Sequence, residues 1–205
     1  MTIHEKYRPR KIDDFVGLEK VKKLLNGYAS RGGGSALLFF GKTGTGKSEM
    51  ARALAEQMSA NLQVVGHSDA NKKGLAHLTA DPGLFESPAG KRQLVVIDHV
   101  DLLSHEKQVA LRPWVEGRLA PNGTIWVLIA EDPSKVEDGL SSRCMQVQFS
   151  TYGNATAASA YLERIWDNEV ADTKAPRPNF DRIVKEANGS LRAAINRLDS
   201  FISGT

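Results

Sequence analysis

Unbroken apolar runs of strand length recur through the first 150 residues. Ala36-Leu-Leu-Phe-Phe40, Gln93-Leu-Val-Val-Ile-Asp98 and Thr124-Ile-Trp-Val-Leu-Ile-Ala130 each read as a strand buried on both faces. Leu62-Gln-Val-Val65 reads as a further strand, ended by Gly66-His-Ser-Asp69. Met145-Gln-Val-Gln-Phe149 alternates, which places it nearer a sheet edge. Between these runs the apolar period lengthens to that of a helix. Leu18–Tyr28 carries Val21, Leu24 and Leu25 on one face, Glu49–Met58 is rich in strong helix formers, and His105–Gly117 is helical with Pro113 predicting a kink or an early end. Strands separated by helical patterns predict an α/β fold, a doubly wound parallel sheet of five strands.

The remaining segments connect these elements. Thr2–Lys11 is polar and basic, and Pro9 biases Arg8 away from helix, so an extended arm is expected. Ile12–Gly17 offers a cap for the first long helix, and Arg31–Ser35 is a loop. Asn71–Gly74 opens a short helix, and Asp81–Gly90, with two prolines and two glycines, is surface loop. Near Ser150 the pattern changes. Ala155–Trp166, Phe180–Ala187 and Leu191–Ile202 are amphipathic helices with no strand between them, so residues 1–150 are expected to form the sheet domain and 151–205 a small all-helical domain that leans on it.

Candidate chemistry is concentrated after the first apolar run. Gly41-Lys-Thr-Gly-Thr-Gly-Lys-Ser48 has the phosphate-binding loop spacing between a strand and a helix, the context that pattern requires. Thr43, Gly44, Thr45 and Gly46 bring backbone N–H groups to a polyphosphate, and Lys47 places an ammonium at its β- and γ-phosphates. Ser48 offers a hydroxyl to Mg²⁺, and Glu49 opens the helix whose N-terminus faces the anion. Asp98 ends a central strand, on the side where open parallel sheets bind ligands, and is expected to hold Mg²⁺ directly or through water. ATP and Mg²⁺ are the expected ligands.

Composition adds boundaries rather than detail. The 205 residues are 41% hydrophobic and 25% charged, ordinary globular values, and no run has the length of a membrane span. Met1-Thr-Ile-His-Glu-Lys reads as no signal peptide, so the cytoplasm is the expected location. A single cysteine, Cys144, forms no internal disulfide and reads as a packed residue at a strand entry rather than a reactive thiol. A net charge of +3 permits nucleic-acid contact without requiring it.

Taken in register, Glu5-Lys-Tyr-Arg-Pro9, Asp13-Asp-Phe-Val-Gly17, the phosphate loop, Ser68-Asp69, Val95-Val-Ile-Asp98, Gln108-Val-Ala-Leu-Arg112, Ser142-Arg-Cys144 and Gly189-Ser-Leu-Arg192 resemble the clamp-loader AAA+ ATPases. The likeness is to the small subunits of replication factor C and their phage counterparts. The resemblance implies a P-loop AAA+ domain followed by a helical lid. It implies an adenine pocket from Tyr7, Arg8, Pro9, Val16 and Gly17, and a sensor of the γ-phosphate at Arg192. Arg143 matches an arginine finger that reaches a neighbouring subunit's nucleotide. The implied partners are other AAA+ subunits, a sliding clamp and primer–template DNA, with no membrane. Lys72 and Lys73 match the DNA-backbone contacts, with Lys91 and Arg92 as weaker candidates; a solvated lysine pair is the other reading. By the same analogy the clamp would meet the helix near Lys72–Leu78 and the Asp81–Gly90 loop. There Leu84 and Phe85 either anchor the partner or tuck back onto the domain.

Two positions depart from the family. His99 stands where hydrolysing members carry the glutamate that orients water, and Glu131 with Asp132 stands where they place Asn or Thr. Slow hydrolysis, or none, with ATP binding intact is expected, and Glu131 is a candidate replacement base. An ATP-binding switch or scaffold subunit that does not turn over is the alternative function, and a generic AAA+ remodeller of proteins or DNA junctions the third. The family's collar domain has no counterpart before Thr205. A shortened chain, a different assembly and a borrowed collar all remain open.

Overall fold

The computed structural model describes residues 2–34, 36–66, 92–118, 123–150, 155–170 and 176–203. β1 (Ala36–Phe40), β2 (Asn61–Val65), β3 (Gln93–Ile97), β4 (Ile125–Ala130) and β5 (Cys144–Gln148) form one parallel sheet in the order β2-β3-β4-β1-β5. The central strands obey the pleat. Leu37 and Phe39 of β1, Leu94 and Val96 of β3, and Ile125, Val127 and Ile129 of β4 enter one core cluster; Ala36, Leu38, Val95, Ile97, Trp126, Leu128 and Ala130 enter another on the opposite face. Burial on both faces explains why these strands read as unbroken apolar runs. β5 and β2 are the edges, as the alternation of β5 predicts.

Helices cover both faces. α2 (Glu19–Ser30) and α3 (Lys47–Gln57) fill the first cluster through Val21, Leu25, Tyr28, Met50, Ala51 and Leu54. α4 (His105–Val115) covers the second through Leu111, Trp114 and Val115, with the rings of Trp114 and Trp126 edge to face at 6.3 Å. Pro113 does not end α4 where it stands; the helix runs on to Val115 and stops at Gly117, whose φ of +76° suits glycine. A short helix, α5 (Asp138–Ser141), leads into β5.

α6 (Ala155–Glu169), α7 (Phe180–Glu186) and α8 (Leu191–Ile202) build a third cluster around Leu162, Ile165, Trp166, Ile183, Ile195 and Leu198. Ile3 is buried in the same cluster, which corrects the expectation of an extended arm over Thr2–Lys11. Ile3–Lys6 forms a helix, α1, because Thr2 and Glu5 make a reciprocal capping box. Tyr7–Lys11 then crosses from the helical layer to the sheet domain. Among the described residues no helix is long and apolar enough to cross a membrane.

Candidate functional site

Inserting β4 between β3 and β1 decides what meets at the carboxyl edge of the sheet. The loop after β1 carries Lys47, the end of β3 carries Asp98, and the end of β4 places Glu131 between them. The phosphate loop needs glycine at two of its positions for reasons visible in the packing. A Cβ on Gly41, at φ +139°, would stand 2.3 Å from the Phe149 carbonyl oxygen. One on Gly44, at φ +73°, would stand 2.0 Å from Ser190 Oγ.

Lys47 opens α3 and is only 7% exposed. Its ammonium donates to the carbonyls of Gly41 at 2.6 Å and Lys42 at 2.9 Å, and Thr45 Oγ donates to the same Lys42 carbonyl at 2.8 Å. Burial lowers the lysine's pKa, against the pull of Glu131, Asp98 and Asp101. Ser48 Oγ donates to Asp98 Oδ2 at 3.4 Å. The other oxygen of Asp98 accepts from the His99 backbone N–H at 3.0 Å and lies 3.0 Å from His99 Nδ1. His99 has left-handed backbone, φ +55° and ψ +49°, and its Nε2 lies 4.0 Å from Glu131 Oε1. The imidazole therefore stands between two carboxylates at the edge of the phosphate loop.

Asp101 carries no predicted role, yet it holds this corner together. Its buried carboxylate accepts from the backbone N–H groups of both Glu131 and Asp132 at 3.1 Å, tying the turn after β4 to the turn after β3. The Asp98-x-x-Asp101 spacing is a signal that was there to be read. Asp132, which stands with Glu131 where the family places Asn or Thr, caps the turn at Pro133–Lys135 by accepting from Ser134 N–H at 3.0 Å.

Between the sheet domain and the helical layer lies a cleft of about 760 Å³. Tyr7, Arg8, Pro9 and Val16 line it on one side, Gly44, Thr45, Gly46 and Glu49 on another, and Arg192, from the first turn of α8, on a third. Gly17, Thr43, Lys47 and Ser48 are not among its lining residues; Gly17 instead forms, with Leu18, the left-handed entry to α2. Arg8 clamps Glu49 with both ends of its guanidinium, Nη2 to Oε1 at 2.8 Å and Nε to Oε2. Tyr7 O–H donates to Glu169 Oε1 at 2.6 Å and Tyr161 O–H to the Tyr7 carbonyl at 2.9 Å, so this strap is pinned to the lid. Lys42 reaches Asn188 Oδ1 at 3.3 Å, and the Asn188–Ser190 turn abuts the phosphate loop at Gly44.

Arg143 sits apart from this cleft, after α5. Glu137 caps α5 through the N–H groups of Gly139 and Leu140, both at 2.8 Å, and takes a bidentate grip from Arg112. That guanidinium holds the Glu137 carboxyl down at about 2. Gln108 locks the same corner, donating to the Leu103 and Lys135 carbonyls and accepting from Glu137 N–H at 2.7 Å. Lys72, Lys73, Leu84, Phe85 and Lys91 lie outside the described residues. Arg92 is turned onto its own chain, at the Gly32 carbonyl. Cys144 opens β5, and burial pushes its thiol up to about 12.

The residues present fit a magnesium nucleotide. The loop closes on a cation and has no room for a side chain at Gly44, a hydroxyl and a carboxylate are paired at Ser48 and Asp98, and oxygen donors suit Mg²⁺. Among the described residues no cluster of three or more His, Cys, Asp or Glu is placed to hold a metal ion.

Comparison with known proteins agrees with this geometry. Replication factor C small subunit 1 of Pyrobaculum aerophilum is 32% identical over 201 residues, covering 95% of this chain and 60% of its own length. Replication factor C subunit 4 of Saccharomyces cerevisiae is 26% identical over 210 residues, covering 98% and 63%. The chain thus spans about 60% of the length of such relatives. Among solved structures, the Thermotoga maritima RuvB Holliday junction branch migration motor superposes with a TM-score of 0.70 at 23% identity, over 94% of this chain and 64% of that one, a likeness of fold. Residues 37–152 match the model of the ATPase family associated with various cellular activities, AAA, and the chain belongs to that family.

Proposed function

We propose that this chain is an ATP-binding subunit of a sliding-clamp loader, using ATP binding and weak hydrolysis at subunit interfaces to place a clamp on primer–template DNA. The observation that carries the reading is the likeness to replication factor C small subunits over 95% of the chain, in a sequence whose motif order includes the phosphate loop, Asp98, Arg143 and Arg192. The adenine end of the nucleotide would occupy the cleft at Tyr7, Arg8, Pro9 and Val16. Its phosphates would lie against the backbone of Gly44–Gly46, with the Lys47 ammonium exchanging its carbonyl partners for phosphate oxygens. Ser48 and Asp98 would hold Mg²⁺, which would supply positive charge to offset that of the phosphates. Arg192 faces the same cleft from the lid, so phosphate contact and lid position are linked. Arg143 would serve the nucleotide of an adjoining subunit, which makes turnover conditional on assembly.

One observation favours a second reading, an ATP-binding switch that does not turn over. His99 replaces a water-orienting carboxylate, and its Nδ1 is already engaged at 3.0 Å with Asp98. Glu131 is a carboxylate at this edge placed to act as base, 4.0 Å from His99 Nε2. Steady-state ATP hydrolysis, measured with and without primed DNA and a clamp, tests the pair. Stimulation by both supports the loader; tight ATP binding with no turnover supports the switch; stimulation only by an unrelated protein substrate would refute both.

A further inference from the structure

The guanidinium of Arg143 is held by its own chain on two sides. Nε–H donates to Glu116 Oε1 and Nη1–H to the carbonyl of Gly139. Nη2 makes no hydrogen bond among the described residues, and the side chain is 38% exposed. A guanidinium is planar and rigid, so fixing two nitrogens fixes the direction in which the third presents its donors. Glu116 is suited to this grip. It is the last residue of the α4 turn before Gly117 swings the backbone away, it is only 18% exposed, and its Oε2 is occupied by Arg118 Nε at 2.7 Å.

A carboxylate at a helix C-terminus faces the negative end of the helix dipole, a local cost that asks for a compensating role. The compensation is cationic: the Arg143 hydrogen bond is foremost among the contacts that lower the Glu116 pKa. α4 therefore sets both ends of the arginine. Arg112 grips Glu137, which caps α5 and so places the backbone of Arg143, while Glu116, one turn further on, places its head.

We infer that Glu116 is a positioning residue for Arg143, holding the guanidinium so that its Nη2 edge points out of the subunit toward the phosphate of a nucleotide bound by a neighbouring chain. The inference rests on the reading of Arg143 given above and extends it to a second residue, on another helix, that no contact with nucleotide would reveal.

Two measurements test it. In the isolated chain, nitrogen-15 NMR of the arginine side chains reads solvent exchange at Arg143 Nε–H. Glu116→Ala is expected to speed that exchange about tenfold or more, and the shape-conserving Glu116→Gln by less. In the assembled protein with clamp and primed DNA, both variants are expected to lower kcat for ATP about tenfold and leave KM unchanged, because Glu116 does not touch its own subunit's nucleotide. Arg143→Ala should lower kcat at least as far, and the double variant no further. Unchanged exchange in Glu116→Ala, unchanged turnover in both Glu116 variants while Arg143→Ala is slow, or a double variant slower than Arg143→Ala would each overturn the role of Glu116 and leave the finger standing. Unchanged turnover in Arg143→Ala would overturn the finger itself, and this inference with it.

Discussion

Replacing Lys47 by Met should separate the stability of the fold from its affinity for nucleotide. The ammonium is buried, with two backbone carbonyls as its partners, and its pKa is lowered by burial. A lysine whose folded pKa lies below its unfolded value binds its proton less tightly when folded, so at neutral pH the charge costs the fold stability. Methionine removes that cost and keeps the volume. The Lys42 carbonyl retains its bond from Thr45, so one carbonyl, that of Gly41, loses its partner, at about 1–3 kcal/mol. Set against relief of the desolvation of a buried ion, which is worth several kcal/mol, the ligand-free protein should change by less than about 2 kcal/mol.

Binding should respond differently. Loss of charge-assisted contacts to phosphate of about 3 kcal/mol weakens ATP about 100-fold. At a ligand concentration about 100 times the wild-type Kd, the nucleotide stabilises wild type by about 2.7 kcal/mol and the variant by about 0.4 kcal/mol. For a chain of this size those figures correspond to shifts in Tm of about 5–11 °C and about 1–2 °C. Thermal unfolding with and without magnesium ATP reads both quantities. A variant that keeps the full nucleotide shift, or whose ligand-free form loses more than about 3 kcal/mol, would refute the reasoning.

Three further outcomes follow from the packing and the titrating groups. Leu162, fully buried in the helical cluster, should cost about 2–5 kcal/mol as Leu162→Ala in chemical denaturation; a loss below about 1 kcal/mol would mean that the cluster is not a core. The Glu137 carboxyl, at about 2 against an ordinary 4.5, contributes stability that is complete above about pH 4.5 and is lost as pH falls toward 2. Arg112→Met should lower Tm at pH 7 and flatten that acid limb, and an unaltered pH profile would contradict the pairing. Cys144, with its thiol pushed up to about 12, should resist a disulfide reagent at pH 8 in the native state and react once the chain is denatured.

The sheet was legible in the sequence because its central strands are buried on both faces, which leaves no polar interruption in β1, β3 or β4. The phosphate loop was legible for a related reason: only glycine satisfies the close approaches at Gly41 and Gly44, so the need is written in residue type. What escaped was held by side chains reaching between elements. Nothing local in Thr2–Lys11 says that Ile3 will dock on α6 and α8, although Thr2 and Glu5 spell a capping box. The roles of Asp101, Glu137 and Glu116 depend on which loops the strand order brings together, and a pattern along one segment does not carry strand order. Pro113 stands in the last turn of α4, so the two helical residues beyond it are all that a kink or an early end could displace.

A nucleotide held between the sheet edge and the helical layer is the central claim, and calorimetric titration of the purified chain with ATP and Mg²⁺ tests it most directly. It predicts saturable binding in the wild-type chain. In Gly44→Ala, whose Cβ would stand 2.0 Å from Ser190 Oγ on left-handed backbone, it predicts affinity lowered by about tenfold or more. No saturable binding by the wild type, or equal affinity in the two proteins, would contradict it.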